Sequence, residues 1–353
     1  STHGVGEFYE LKSKLIEYLY TKLDFNLIIF ESGFADINLA WDEVVQFSPQ
    51  SLRDTTLFGN FQCQEIAPLF ELIKEKSKQP DPLYYSGVDV QSTNGVFKSK
   101  IKNICSVLSI QADVENDLGL YFKMYREAYN TDSTKFIQYR DSYMNLMSQM
   151  LDEIVQNKNT LVPNIIPNDF QFQVIKRHVE SQISLVNFDY SDRFTDDNSY
   201  LGFVIRDSLM FENFKWIQTK LYPDEKIILW GHNSHIEKGY VNNRTSKWLG
   251  NYISQHYGDE YYSLGMFVYE GDTRLHWNNE IKSFKNAGES NLESLMLNNE
   301  MKFSFVSTSA KEIPWLNSEV IANEFENGEV TFVPHLRFDG LLTIPKGSVP
   351  EYE

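Results

Sequence analysis

The chain has 353 residues, and its 49 acidic and 32 basic side chains give a formal net charge of −17 at pH 7. A surface this acidic repels nucleic-acid phosphates and anionic lipids, and no stretch reaches the roughly 20 apolar residues of a transmembrane helix, so we expect neither a nucleic-acid nor a membrane partner. The two cysteines, Cys63 and Cys105, form no CxxC motif and are expected to be buried thiols.

The first part of the chain alternates between helix and strand patterns. Apolar residues three and four positions apart predict a helix over residues 7–23. The apolar run NLIIFES predicts a buried strand that ends at Glu31, and GFADINLAWDEVV predicts the next helix. A helix over residues 64–76 follows, and then a second strand, PLYYSGVD, which ends at Asp89.

The middle of the chain has a different character. Residues 98–188 consist mostly of long, polar, helix-prone stretches, and we interpret them as a helical insertion or lid in an α/β core of residues 1–97 and 189–353. Further on, FVIRDSLMFENFKWIQTKL predicts a helix, KIILWGHNSH a third strand with a histidine-rich turn, and YYSLGMFVYEG a fourth strand. The shorter runs FSFVS, EVTFVP and GLLTIP are interpreted as edge strands or a small β section.

This alternation predicts an α/β fold with a mainly parallel central sheet flanked by helices. In such sheets, ligands bind beyond the carboxyl ends of the strands. Four residues directly follow predicted strands, namely Glu31, Asp89, His232 and His235. We therefore expect these residues, which are far apart in sequence, to meet at one edge of the sheet.

Three histidines are the candidates for acid–base chemistry. His3 lies in a glycine-flanked turn, where a neutral imidazole can accept a proton from water near physiological pH. Glu31 would fix its tautomer and stabilise the imidazolium. In WGHNSHIEKG, His232 and His235 either belong to the site or serve to cap a helix. With His3 and Glu31 they could also supply ligands for zinc or another divalent metal.

Three further residues are assigned to substrate binding. Arg206, in IRDSLMFENFKW, either points towards a polar substrate and the site acids or is solvated together with Asp207. Asp89 and Asn233 complete the set, since both adjoin predicted strand ends. The chain has no G-x-S-x-G elbow, no Walker loop and no G-x-G-x-x-G after a strand, which argues against the hydrolases and nucleotide-binding proteins that carry them.

Five stretches, in this order, resemble the erythromycin esterase family: THGVGEFYELKSKLIEYL, LIIFESGF, YYSGVDVQ, IRDSLMFENFKW and IILWGHNSHI. The resemblance continues more weakly through LRFDGLLTIP near the end of the chain. It implies hydrolysis of an ester, which in the named members of the family is the macrolactone of a macrolide. It also implies a histidine that acts as general base on water, without a serine nucleophile.

The resemblance also implies roles for individual residues. By motif, His3 matches the family's general base, and Glu31 matches the acid at the end of the FESGF strand. His232 and His235 match the paired site histidines, and Arg206 matches the arginine of the R-D-x-x-M-x-E-N helix. The expected catalytic residues are therefore these three histidines and Glu31, with Arg206 in a supporting position.

The chain departs from the family pattern at its start, because the family's Gly-Glu pair and the strand before it would precede Ser1. We interpret the chain as trimmed, which predicts a vacant sheet position beside LIIFES. We expect a cytoplasmic protein without a cofactor, unless a leader preceded Ser1 or the histidine cluster binds a divalent metal. The main hypothesis is an esterase with a small-molecule substrate. The alternatives are a metal-assisted hydrolase and a non-catalytic binder of a polyketide or glycan precursor, and the oligomeric state stays open.

Overall fold

The computed structural model describes residues 2–93, 95–108, 110, 133–194, 201–239, 247–275, 278–297, 300–310, 312–324 and 328–352. Its longer helices are α1 Gly6–Leu23, α2 Phe34–Asp42, α3 Pro49–Thr56, α4 Ala67–Lys76, α5 Val96–Val107, α6 Ser133–Gln156, α7 Asp169–Phe194, α8 Leu201–Trp216 and α9 Leu249–Tyr257. Its strands are β1 Leu27–Gly33, β2 Tyr84–Asp89, β3 Ile227–Trp230, β4 Leu264–Arg274, β5 Ile281–Lys285, β6 Ser304–Ser307, β7 Val320–Asn323, β8 Glu329–Phe332 and β9 Gly340–Gly347. Shorter helical segments that matter below are Asn233–Ile236, Leu292–Leu295 and Pro334–Arg337.

The predicted parallel sheet is present, and it contains three strands in the order β2-β1-β3. The predicted fold class, an α/β protein with a parallel sheet flanked by helices, is confirmed. The expectation of a vacant position beside β1 is wrong, because β1 pairs with β2 on one edge and with β3 on the other. In the described sheet β2 and β3 are the two edge strands, and three of the four residues of β3 are only half-buried.

Both faces of the parallel sheet are covered, which explains why the first four residues of β1 are apolar. Leu27 and Ile29 belong to one hydrophobic cluster, and Ile28 and Phe30 belong to another. Successive side chains of a strand point to opposite faces, so a strand buried on both faces has no position for a polar residue in its middle. The first cluster includes residues of α2, α5, α6, α7 and α8, and the second includes residues of α1, α3 and α4.

The predicted fourth strand does not extend the parallel sheet. It is β4, which lies in a second sheet of order β5-β4-β9-β6, where β4 and β9 are parallel and the other pairs are antiparallel. The run GLLTIP, expected at an edge or in a small β section, forms β9 in the interior of this sheet, while β6 forms an edge. A separate pair, β7-β8, accounts for EVTFVP.

The stretch interpreted as an insertion is helical where the structure describes it. It contains most of α5, all of α6 and most of α7, whereas residues 109 and 111–132 lie outside the described residues. Side chains of α6 and α7 share one continuous hydrophobic cluster with β1 and α2. The boundaries 98–188 stay a prediction. Within the described part of the chain, no helix is long and apolar enough to cross a membrane.

Candidate active site

The ends of the three parallel strands meet, as the alternation of elements predicts. Glu31 lies near the end of β1, Asp89 ends β2, and the segment that carries His232 and His235 follows β3. Arg206, from α8, connects them: its Nη2 lies 3.5 Å from Oε1 of Glu31, and its Nε lies 3.1 and 3.2 Å from the two carboxylate oxygens of Asp89. The structure therefore brings these predicted site residues together, while their chemical roles stay proposals.

Glu31 is a buried carboxylate surrounded by donors. Its Oε2 accepts a hydrogen bond from the backbone N–H of His232 at 2.8 Å, and its Oε1 lies 3.2 Å from Nε2 of His235. Burial by itself raises the pKa of this carboxyl group, but Coulombic interactions with His235, His3 and Arg206, together with the N–H of His232, outweigh burial and lower the pKa to about 2. Glu31 is therefore a carboxylate at neutral pH.

His235 is held between two carboxylates. Its Nδ1 lies 2.7 Å from Oδ2 of Asp207, and its Nε2 lies 3.2 Å from Oε1 of Glu31. Burial lowers the pKa of the ring, but the two carboxylates outweigh burial and raise the pKa above the usual value for histidine. With a carboxylate at each nitrogen, the ring is stabilised as an imidazolium that donates on both sides.

Asp207 is a site residue that the sequence did not reveal as such. The interpretation of Arg206 and Asp207 as a solvated pair is wrong, because Asp207 is 0% exposed and Arg206 is largely buried. Oδ2 of Asp207 also accepts a hydrogen bond from the N–H of Leu249 at 2.8 Å, at the N-terminus of α9. A helix N-terminus favours a nearby negative charge, so the start of α9 suits a carboxylate at this position.

His232 has a defined tautomer. Its ring caps the short helix Asn233–Ile236, since Nδ1 accepts a hydrogen bond from the backbone N–H of Ser234 at 3.2 Å. The hydroxyl of Ser234 also lies 2.8 Å from Nδ1. A nitrogen that accepts from an N–H carries no proton, so the proton of the neutral ring is on Nε2. The neutral His232 side chain is therefore a donor at Nε2.

His3 is placed by a close approach of its neighbour to β4. A Cβ atom on Gly4 would lie 2.1 Å from the carbonyl oxygen of Arg274, so only glycine allows this contact, and the N–H of Arg274 donates to the carbonyl oxygen of Gly4 at 3.1 Å. The ring of His3 packs edge-on against Phe61, with centroids 5.1 Å apart. Its centroid also lies 5.3 Å from that of His232.

A small cavity adjoins His3. It has an empty volume of about 230 Å³, is open to solvent, and is lined by Thr2, His3, Phe8, Tyr9, Lys12, Phe61, Trp230 and Gly231. Aromatic rings form much of this wall, which suits a ligand with an apolar part next to a polar group. The cavity lies between the start of α1 and the end of β3.

Lys12 is the second site residue that the sequence did not reveal. Its Nζ lies 3.4 Å from the carbonyl oxygen of Gly231 and 4.9 Å from the centroid of the Trp230 ring. Burial lowers the pKa of the ammonium to about 8, and the charge of Glu31 offsets only part of this effect. A lysine in the middle of a helix normally projects into solvent, and the pattern of α1 contains no signal that distinguishes this one.

Asn233 and Asp89 are occupied by contacts within the protein. The Asn233 side chain donates to the carbonyl oxygen of Met266 at 3.0 Å and accepts from its N–H at 3.1 Å, so the amide connects the histidine segment to β4 as a paired strand residue would. Asp89 is 0% exposed and holds Arg206. Both residues therefore have structural roles, and their contacts do not support direct substrate binding.

The geometry does not favour a metal site. Among the residues that the structure describes, no group of three or more His, Cys, Asp or Glu side chains is arranged to hold a metal ion. His235 has a carboxylate at each ring nitrogen, and Arg206 places a positive charge 3.5 Å from its Nε2. A divalent cation would have to displace these contacts, so the donor set of His3, Glu31 and the two downstream histidines does not suit one.

Comparison with known proteins agrees with the family resemblance of the sequence motifs. A model of the erythromycin esterase family matches residues 20–347 of the chain, a range that includes the site except for His3 and Lys12. The chain is 25% identical over 300 residues to YbfO of Bacillus subtilis (strain 168), which is named as a proposed hydrolase. This match covers 77% of the chain and 64% of YbfO, so the chain spans less than two thirds of that relative.

Two further relatives span nearly the whole chain. An erythromycin esterase type II of Escherichia coli is 21% identical over 381 aligned positions, which cover 99% of this chain and 89% of that protein. A crystal structure of a Bacillus cereus protein superposes with a TM-score of 0.72 at 20% identity, covering 100% of this chain and 88% of the other. This structural likeness extends the agreement in fold to the full chain.

Proposed function

Because the chain belongs to the erythromycin esterase family, we propose that it hydrolyses carboxylic esters with water that His3 activates as general base. One observation carries the assignment: the surroundings of the three histidine rings differ. His235 is stabilised as an imidazolium between Asp207 and Glu31, so it cannot accept a proton. The neutral His232 ring has its proton on Nε2 and is a donor there. His3, which lines the cavity, is the ring that suits the base.

The reaction requires one base, one set of donors and no covalent intermediate. His3 takes a proton from water as the water oxygen attacks the carbonyl carbon of the ester, and the electron pair of the C=O bond moves to the carbonyl oxygen. When the tetrahedral intermediate collapses, the bond to the alcohol oxygen breaks, and the His3 imidazolium returns its proton to the leaving alkoxide. Glu31 favours the imidazolium form of His3, since each of these two groups interacts with the charge of the other.

The negative charge on the carbonyl oxygen needs donors in a site with little water. His232 supplies Nε2–H, and its ring lies beside that of His3. Lys12 supplies an ammonium on the wall of the same cavity. Donors aimed at a developing oxyanion typically contribute about 3–4 kcal/mol each to transition-state stabilisation. His235, Asp207 and Arg206 do not touch the reacting atoms in this scheme and instead keep Glu31 in place and ionised.

The cavity limits how the substrate binds. It is small and open to solvent, so it holds only a small part of a substrate around the scissile ester. A macrolactone would therefore bind with its ester in the cavity and most of its ring outside. The proposed substrate class is a carboxylic ester with an apolar group next to the carbonyl, macrolactones included.

A panel of simple esters and macrolides, with products identified by mass spectrometry, tests the proposal. We expect hydrolysis of at least one ester by the wild-type protein, and a loss of about 100-fold or more in kcat for His3→Ala, since general base catalysis typically contributes about 10²–10⁴-fold. His256→Ala is the matched control, because His256 is exposed on α9, and it should keep wild-type turnover. Full activity in His3→Ala would refute the mechanism. Saturable binding of an ester or macrolide without product would instead support the non-catalytic alternative.

A further inference from the structure

The segment that carries the site histidines ends at a buried ion pair. Glu237, which directly follows the short helix Asn233–Ile236, is 1% exposed. Its Oε2 accepts a hydrogen bond from Nε of Arg337 and forms an ion pair with Nη2 of the same guanidinium. Arg337 is 0% exposed and also donates from Nη2 to Oε1 of Glu324 at 2.7 Å. Only Ile236 lies between His235 and Glu237, so this pair fixes the chain close to the imidazolium.

Main-chain contacts around the pair hold the same segment. The N–H of Lys238 donates to the carbonyl oxygen of Arg337 at 2.9 Å. The hydroxyls of Tyr261 and Ser263 both donate to the carbonyl oxygen of Ile236 at 2.6 Å. A helix of four residues is too short to be stable by itself, so the position of its side chains depends on such outside contacts.

The guanidinium of Arg337 is suited to hold the Glu237 carboxylate permanently. It packs against the rings of Phe332 and Phe338, 4.5 and 4.9 Å from their centroids. Although burial lowers the pKa of the guanidinium, Glu237 and Glu324 outweigh burial and raise it, so the group stays charged. A planar guanidinium can donate to two carboxylates and stack on aromatic rings, and a lysine ammonium reproduces only part of that geometry.

We propose that Arg337 is a positioning residue: through Glu237 it holds the His232–Ile236 segment so that the ring of His235 stays between Asp207 and Glu31. The proposal rests on the proposed function only for its kinetic consequence. If the pair is broken, the segment shifts, His235 loses contact with at least one carboxylate, and Glu31 loses part of the positive charge around it. Arg337 itself is not among the residues that line the described cavity.

Nitrogen NMR of the histidine rings tests the positioning without any need for activity. The wild-type His235 ring should titrate above the usual pH for histidine, with both ring protons observable. In Glu237→Gln, which keeps the size of the side chain and removes its charge, the titration of His235 should move to lower pH. Arg337→Lys should lie between the wild type and Arg337→Met, and the circular dichroism spectrum of each variant shows whether it is folded.

Glu324→Gln is the matched control, because Glu324 contacts the same guanidinium but lies in the β7 region, away from the histidine segment. It should leave the His235 titration at the wild-type position even if it lowers the melting temperature. An unchanged His235 titration in folded Glu237→Gln would overturn the proposal, and so would an equal shift in Glu324→Gln, which would indicate a general loss of structure.

Steady-state kinetics on any ester that the wild type cleaves form the second arm. We expect kcat to fall by about 10- to 100-fold in Glu237→Gln with KM changed less than threefold, since displacement of a catalytic group by about 1 Å can cost about 10²-fold. A rise in KM with unchanged kcat would contradict the positioning role. If the wild type cleaves no ester but the NMR shifts appear as expected, the positioning holds and the proposed function fails, so the two failures are distinguishable.

Discussion

The replacement Lys12→Arg tests whether a charge on Lys12 is required for catalysis. The pKa of the Lys12 ammonium is lowered by burial to about 8, whereas an arginine guanidinium keeps its charge throughout the working pH range. If the ammonium stabilises the oxyanion, wild-type kcat/KM should begin to fall near pH 8, because the neutral amine cannot supply the charge. The variant should keep its activity at higher pH.

The size of the effect follows from the titration. A group with a pKa of about 8 is half charged at pH 8 and about one-tenth charged at pH 9, so wild-type kcat/KM should drop about tenfold per pH unit above this point. In Lys12→Arg the decline should begin at least one pH unit higher. Lys12→Met, which removes the charge at every pH, should lose about 10²–10³-fold, the typical cost of deleting one oxyanion donor.

The assay is the pH dependence of kcat/KM between pH 6 and 10 on one ester, which reports groups in the free enzyme. A replacement at an exposed lysine of the same helix, Lys14→Arg, is the control for a general effect of arginine and should leave the profile unchanged. An alkaline decline at the same pH in Lys12→Arg as in the wild type would refute the reasoning, since another group would then be responsible for it.

Two further predictions concern Ser234 and Glu293. Ser234→Ala should keep kcat within about tenfold of the wild type, because its hydroxyl serves to hold Nδ1 of His232; a loss above about 10³-fold would indicate a serine nucleophile. Burial raises the pKa of Glu293 from 4.5 to about 7. Below pH 4.5 this group does not affect the free energy of unfolding. As the pH rises to 7, the buried carboxyl group lowers that free energy by up to about 3 kcal/mol. In urea unfolding, the stability of Glu293→Gln relative to the wild type should therefore increase from pH 5 to pH 8. The exposed control Glu289→Gln should show no such increase. An equal stability difference between Glu293→Gln and the wild type at both pH values would contradict the prediction.

The part of the site that lies at the strand ends was predictable from the sequence. NLIIFES and IILWGHNSH are short apolar runs that end in polar residues, and parallel strands bring such ends to one edge of a sheet. Glu31 and His235 lie 3.2 Å apart in the structure although 203 positions separate them. A local pattern combined with one topological rule was enough to bring them together, without any knowledge of which strands are neighbours.

The residues contributed by helices were not predictable in the same way. Arg206 and Asp207 are consecutive residues of α8, and consecutive residues of a helix point in directions about 100° apart. One reaches Asp89 and the other reaches His235, because the helix lies across the ends of two strands. The sequence of α8 contains no information about that crossing. Lys12 was missed for the same reason, since its environment depends on how α1 lies against Gly231.

Strand pairing was predictable only in part. The apolar pattern identified β4 and β9 as strands, but pairing is a contact between segments about 75 residues apart, and neither segment specifies its partner. β9 was therefore interpreted as an edge strand or part of a small β section, and the structure places it between β4 and β6. For the same reason the expected vacancy beside β1 was wrong, since nothing in NLIIFES indicates that β3 pairs with it directly.

The chemical roles of the three histidines depend on the contacts of their ring atoms and not only on their positions. All three have the same side chain, and the sequence assigns all of them to one site, His232 and His235 by their strand end and His3 by the family resemblance. His235 and His232 differ in the groups that face their ring nitrogens, two carboxylates for His235 and a backbone N–H for His232, whereas His3 lines a small aromatic cavity. A carboxylate favours the imidazolium, and an N–H fixes a tautomer. A replacement that moves a ring relative to its partners, as we propose for Glu237→Gln and His235, should therefore change the chemistry of a histidine without altering the histidine itself.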